Sequence, residues 1–150
     1  MRVYLVIMDE TDEAAIALRF AARRAEKTGG AVHILALIPR QEFVAFGGVQ
    51  ATIEAEALAR AEVLVTSAAG NLASESGRMP VISVRQGEGE KVIREYLTEH
   101  PEVSALVLGA AADGGPGPLV THFAGQTGQL PCPLYIVPGT ISDADLDRLA

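Results

Sequence analysis

The chain has 150 residues, 49% of them hydrophobic and 21% charged, with 19 acidic against 12 basic side chains and a formal charge of −7. That length suits one core and one domain, and the acidic balance argues against nucleic acid as a partner, since a duplex repels a net anion that has no compensating basic patch. No apolar run approaches the roughly 20 residues that span a bilayer, so no membrane partner is expected. The opening MRVYLVIMDETDEAA turns acidic at Asp9 and Glu10 too soon for a secretory leader. The single cysteine, Cys132, fits a reducing, cytoplasmic setting.

VYLVIM (Val3–Met8) is apolar without alternation, the pattern of a strand covered on both faces. A helix is predicted over Asp12–Thr28, stopped by Gly29-Gly30. Arg19, Arg23, Glu26 and Lys27 share one face of it, read as a solvated surface. VHILALI (Val32–Ile38) is the second strand. Pro39 to Gln50, PRQEFVAFGGVQ, has no periodicity and reads as a plain surface loop or as a flap over the sheet edge. Ile53, Ala57, Ala61, Leu64, Ala68 and Leu72 then recur at helical steps, and the pattern stops near Gly77.

PVISV (Pro80–Val84) is the third strand. A third helix runs from about Glu88 to His100, buries Val92, Ile93, Tyr96 and Leu97, and is closed by Pro101. SALVLG (Ser104–Gly109) is the fourth strand. A fourth helix starts near Pro118, a good first helical residue, and ends before Pro131. Gly125 and Gly128 interrupt it at about 1 kcal/mol each relative to alanine, a cost that close packing on the sheet or on a partner chain is expected to offset. PLYIV (Pro133–Val137) is the fifth strand. The division is a domain over residues 1–141 and a short acidic tail over 142–150, the tail being a helix capped by Ser142 or Asp143, or a frayed end.

Strand and helix alternating throughout predict an α/β fold: an open, doubly wound parallel sheet with right-handed crossovers and helices on both faces. Ligands of such sheets sit beyond the carboxyl ends of the strands, where the winding reverses. That rule selects Asp9 to Thr11 and Gly109 to Pro118. A phosphate cradle needs converging backbone N–H groups and room for the anion. In Gly114-Gly115-Pro116-Gly117-Pro118, however, the two prolines have no N–H to give. Asp113 sits inside the turn, and no Lys or Arg occurs between Arg94 and Arg148.

Several residues carry two readings. Asp9 and Thr11 are ligand contacts or caps of the first helix. Gly109 is part of a cradle or a turn residue free to take positive φ. Thr121 contacts a phosphate or bonds back to its own helix. Cys132 reads as a small packed hydrophobe, His33 as a hydrogen-bonded core histidine, and His100 as a helix-end residue. HExxH, CxxC, GxSxG and GxxxxGK[ST] are all absent and the three histidines are far apart, so no catalytic residue and no metal site is predicted.

VIMDETDEAA at the start, a helix after QGEGEKVI, and ALVLG leading to PCPLYIV resemble the universal stress protein family over residues 2 to about 138. The resemblance implies a five-stranded, Rossmann-like parallel sheet, a homodimer often made through the last strand, and a role in stress survival. In one branch it implies adenine nucleotide, ATP with magnesium, at the switch point. It places Asp9 against the ribose and Leu37 and Ile38 beside the adenine, although both apolar residues also read as ordinary core. That branch carries Gly, two residues, Gly, nine residues, then Gly-Ser or Gly-Thr. Gly109 matches the first position, Ala112 replaces the second glycine, Val120-Thr121 stands where the final pair belongs, and the spacing is two residues short.

The expectation is therefore a dimeric regulatory module acting through protein contacts, with at most weak nucleotide binding. The alternative is an ATP-binding switch, with possible slow hydrolysis, that uses Gly114, Gly115 and Gly117 in place of the missing glycines. The dimer would form through Leu134, Tyr135, Ile136 and Val137, an apolar last strand that otherwise leaves an open edge.

Overall fold

The structure, a computed structural model, describes residues 1–38 and 47–150, with side chains described from residue 52 onward in the second stretch. Its elements are β1 (Val3–Met8), α1 (Asp12–Thr28), β2 (Ala31–Ile38), α2 (Gly47–Ser76), β3 (Val81–Gln86), α3 (Gly89–Glu99), β4 (Ala105–Ala110), α4 (Pro118–Gly125), β5 (Leu134–Pro138) and α5 (Asp143–Leu149). The five strands are all parallel, in the order β3-β2-β1-β4-β5. This is the expected doubly wound α/β sheet, and the winding reverses between β1 and β4.

Strand periodicity explains how one apolar run fills two cores, because successive side chains leave opposite faces of the sheet. Tyr4, Val6 and Met8 of β1 join Ile34, Ala36 and Val107 beneath α1 and α2. Val3, Leu5 and Ile7 join Leu35, Leu106 and Leu108 beneath α3 and α4. The strip of α1 that meets the sheet is entirely alanine (Ala14, Ala17, Ala21 and Ala25), which lets the helix axis come close. Thr11 caps α1 by accepting from the Ala14 amide at 3.3 Å, and Gly29 closes it in the left-handed region at φ 65°.

The edge strand β3 departs from the expectation of cover on both faces: Val81 is 48% and Ile82 38% exposed. Of the segment Pro39 to Gln50, residues 39–46 lie outside the described residues, while 47–50 form the first turn of α2 rather than loop. Among the described residues no helix is long and apolar enough to cross a membrane.

The basic face of α1 is not simply solvated. Helix α5, capped by Ser142, lies on it and buries Leu146 to 1% exposure. Asp147 accepts from Arg19 at 2.9 Å and from Arg23 at 3.2 Å, and Lys27 donates to the main-chain oxygens of Asp147 and Ala150 at 2.8 and 2.7 Å. The cations that read as a surface face are thus largely engaged by the end of the chain.

Candidate functional site

Asp9 follows the last residue of β1, at the carboxyl edge where the winding reverses. Its Oδ1 accepts from the Thr11 amide at 3.0 Å and from the Thr11 hydroxyl. Both residues therefore serve the entry to α1, as the capping reading anticipates. Asp9 nevertheless lines three cavities, of which one, of about 610 Å³, runs between α1 and α2. The other two open at the carboxyl edge of the sheet. One, of about 340 Å³, lies between β1, β2 and α2 and gathers Asp9, Thr11, Leu37 and Ile38 with Ala57, Arg60 and Leu64. The other is a crevice of about 930 Å³ lined, among the described residues, by Asp9, Leu37, Gln86 to Gly89, Lys91, Val92, Glu95 and Leu119.

The floor of the crevice is apolar because three elements converge there. A Cβ added to Gly89 would come within 3.2 Å of both Leu37 and Leu119, so a glycine at the start of α3 lets β2 and α4 close together beneath it. The rim is acidic, with Asp9, Glu88 and Glu95 against the single ammonium of Lys91. In the smaller cavity Arg60 is already paired with Glu10 at 3.2 Å. Neither of these two cavities offers an uncompensated positive field to a polyphosphate.

The glycine-rich turn after β4 stands apart from all three cavities: Gly109, Gly114, Gly115, Gly117 and Thr121 line none of them. It is closed on itself, the Ala111 amide donating to the Pro116 carbonyl at 3.1 Å. Gly114, Gly115 and Gly117 take φ of 75°, 93° and 101°, conformations that a side chain strains, so the glycines serve the path of the chain. At the head of α4, the Thr121 amide and hydroxyl both donate to the Gly117 carbonyl, at 3.0 and 2.9 Å. Thr121 bonds back to its own helix. Val120 is buried against the sheet, so its bulk packs the core instead of narrowing the turn.

Gly109 corrects the turn reading. It has no positive φ; a Cβ there would lie 2.0 Å from the Glu13 carbonyl oxygen, so glycine is needed for the approach of α1 to β4. Gly125 and Gly128 correct another expectation. The helix ends at Gly125, a 3-10 turn spans Thr127–Gln129, and a Cβ at either glycine would meet nothing within 4 Å. They mark a helix end and need no compensating contact. Cys132 is half-buried beside the core under α4, and burial pushes its thiol up, away from the reactive thiolate.

Residues 1–138 match the model of the universal stress protein family. The chain belongs to the universal stress protein family. Solved members share its fold. Universal stress protein UspA from Lactobacillus plantarum superimposes with a TM-score of 0.79 at 20% identity, covering 91% of this chain and 97% of that one. A universal stress protein family protein from Arabidopsis thaliana with AMP bound gives 0.60 at 16%, covering 97% and 99%. A universal stress protein in complex with cAMP gives 0.60 at 14%, covering 91% and 96%. No curated protein matches by sequence.

Within this universal stress protein fold, sequence reasoning missed the residues that build the crevice from the β3 and α3 side, namely Gln86 to Gly89 and Lys91, and Leu119 of α4 opposite them. The signal was present in QGEGEK, a glycine-rich turn ahead of a helix that carries a lysine one turn in.

Proposed function

We propose that this universal stress family member is a stress-response regulatory module that works as a homodimer through protein contacts and binds adenine nucleotide weakly at most. The observation that carries the reading is the turn after β4: two of its residues are prolines with no N–H to give, its Ala111 and Thr121 amides are engaged within the loop and the helix head, and it lines none of the cavities that Asp9 does. A nucleotide in the 930 Å³ crevice would gain an apolar floor for its base, yet would set its phosphates among Asp9, Glu88 and Glu95. Protein denatured after purification is expected to release no stoichiometric ATP, ADP or AMP on ion-pair chromatography; a molar equivalent would refute weak binding.

The dimer rests on β5. Among the described residues it pairs only with β4, which leaves its other edge open, and Ile136 is 42% exposed beside half-buried Leu134 and Tyr135, whereas Val137 turns into the core. Light scattering at tens of micromolar is expected to give twice the chain mass, and a monomer at that concentration would remove the proposal.

A second reading, an ATP-binding switch, is favoured by Lys91 on the crevice rim and by the relatives solved with AMP and cAMP. In that case Lys91, and not the glycine turn, would meet the phosphates, with magnesium offsetting the neighbouring carboxylates.

A further inference from the structure

At the opposite, amino-terminal end of the sheet the fold assembles a cluster that the spacing of its members along the chain conceals. His33, near the start of β2, is 6% exposed and bonds through Nδ1 to the Tyr96 hydroxyl at 2.8 Å. His100, the residue that ends α3, stacks on the Tyr96 ring at 4.1 Å between centroids and stands edge-on to His33 at 5.8 Å. Glu102, in the turn that follows, reaches His100 Nδ1 at 2.8 Å. One nitrogen from each histidine and one Glu102 oxygen all lie within 4.8 Å of one another.

We propose that His33, His100 and Glu102 form a binding site for a divalent transition metal of the zinc class. Two imidazoles and a carboxylate are a donor set that zinc accepts, with a fourth position left to water, whereas magnesium and calcium take oxygen ligands. Because Nδ1 of His33 is engaged by Tyr96, Nε2 is the nitrogen that remains for a metal. A metal on Nε2 fixes the proton on Nδ1, where the Tyr96 oxygen accepts it, so Tyr96 orients the ligand from behind. Zinc bonds of about 2.0 to 2.2 Å require the donors to draw together by roughly 1 Å. The Glu102 side chain is 50% exposed and can swing, trading its bond with His100 for one to the ion.

The test is calorimetric titration of the chelator-stripped full chain with zinc chloride, with cobalt(II) absorption as a second readout. Binding of one zinc per chain at about 10 µM or tighter is expected, with visible cobalt bands of a low-coordinate site. His100→Asn and Glu102→Gln should each weaken zinc at least about tenfold. His122→Asn, which removes the other histidine near a carboxylate (Glu90, 3.6 Å), should leave it unchanged. His33 is a core residue, so the surface-accessible pair carries the test if its substitution prevents folding. Zinc affinity weaker than about 1 mM, tight binding that survives His100→Asn, or binding abolished by His122→Asn would each overturn the proposal.

Discussion

Replacing Gly109 by alanine is expected to destabilise the protein by about 3 kcal/mol or more, the upper end of what overpacking costs. The added Cβ would sit 2.0 Å from the Glu13 carbonyl oxygen and 2.6 Å from its carbon. These are backbone atoms of α1, so no rotamer change can relieve the contact, and the helix must move away from the sheet. Gly114→Ala is the informative contrast. Its Cβ would meet nothing, and only the φ of 75° opposes the change, a strain of about 1 to 2 kcal/mol. Urea unfolding of the two variants separates a glycine that the fold requires from one that only the turn requires. A Gly109→Ala protein as stable as the parent would contradict the packing described for α1 and β4.

Leu146→Ala should cost about 3 kcal/mol, within the range for a buried leucine, although it lies outside the five-strand unit. Its side chain belongs to the same core as Val6, Ile34 and Val107. If thermal melts of the variant matched the parent, α5 would be an appendage and not part of the folded unit. The docking also has a pH signature. The hydrogen bond from Arg19, seconded by Arg23, holds the Asp147 carboxyl below its ordinary value, against a smaller opposing effect of desolvation. A carboxylate with a depressed folded pKa contributes stability above its unfolded pKa of about 3.9 and loses it as the pH falls through the folded value. Asp147→Asn should therefore flatten the acid limb of stability against pH, by a modest amount because the pair is partly exposed.

Where the local signal was strong, sequence and structure agree to the residue. Val3–Met8 and Asp12–Thr28 are bounded by an acidic turn and by a glycine that takes the left-handed C-cap, and both spans are observed as read. The start of α2 was hidden because Gly47-Gly48 reads as a turn, whereas here it opens a thirty-residue helix. What remained illegible involves partners distant in the chain. Arg19 and Asp147 are 128 positions apart, and His33 and Tyr96 are 63 apart. No periodicity brings such pairs together; the order of strands does. Of the candidate crevice's lining, Asp9 and Leu37 were legible in the sequence, but the walls from α3 and α4 were not. Gly109 was identified as special for the wrong cause, since a φ argument can be made from one residue whereas a close approach needs its neighbour.

The account depends most on the turn after β4 offering too little to hold an anion, with two prolines, Asp113 within it and the Ala111 and Thr121 amides already engaged. Isothermal titration of the nucleotide-free protein with ATP and magnesium addresses this directly. A dissociation constant weaker than about 100 µM, under roughly 5.5 kcal/mol of binding free energy, is the predicted result. Binding in the low micromolar range or tighter, lost on Gly117→Val but retained in Lys91→Ala, would place the phosphates in that turn and contradict it.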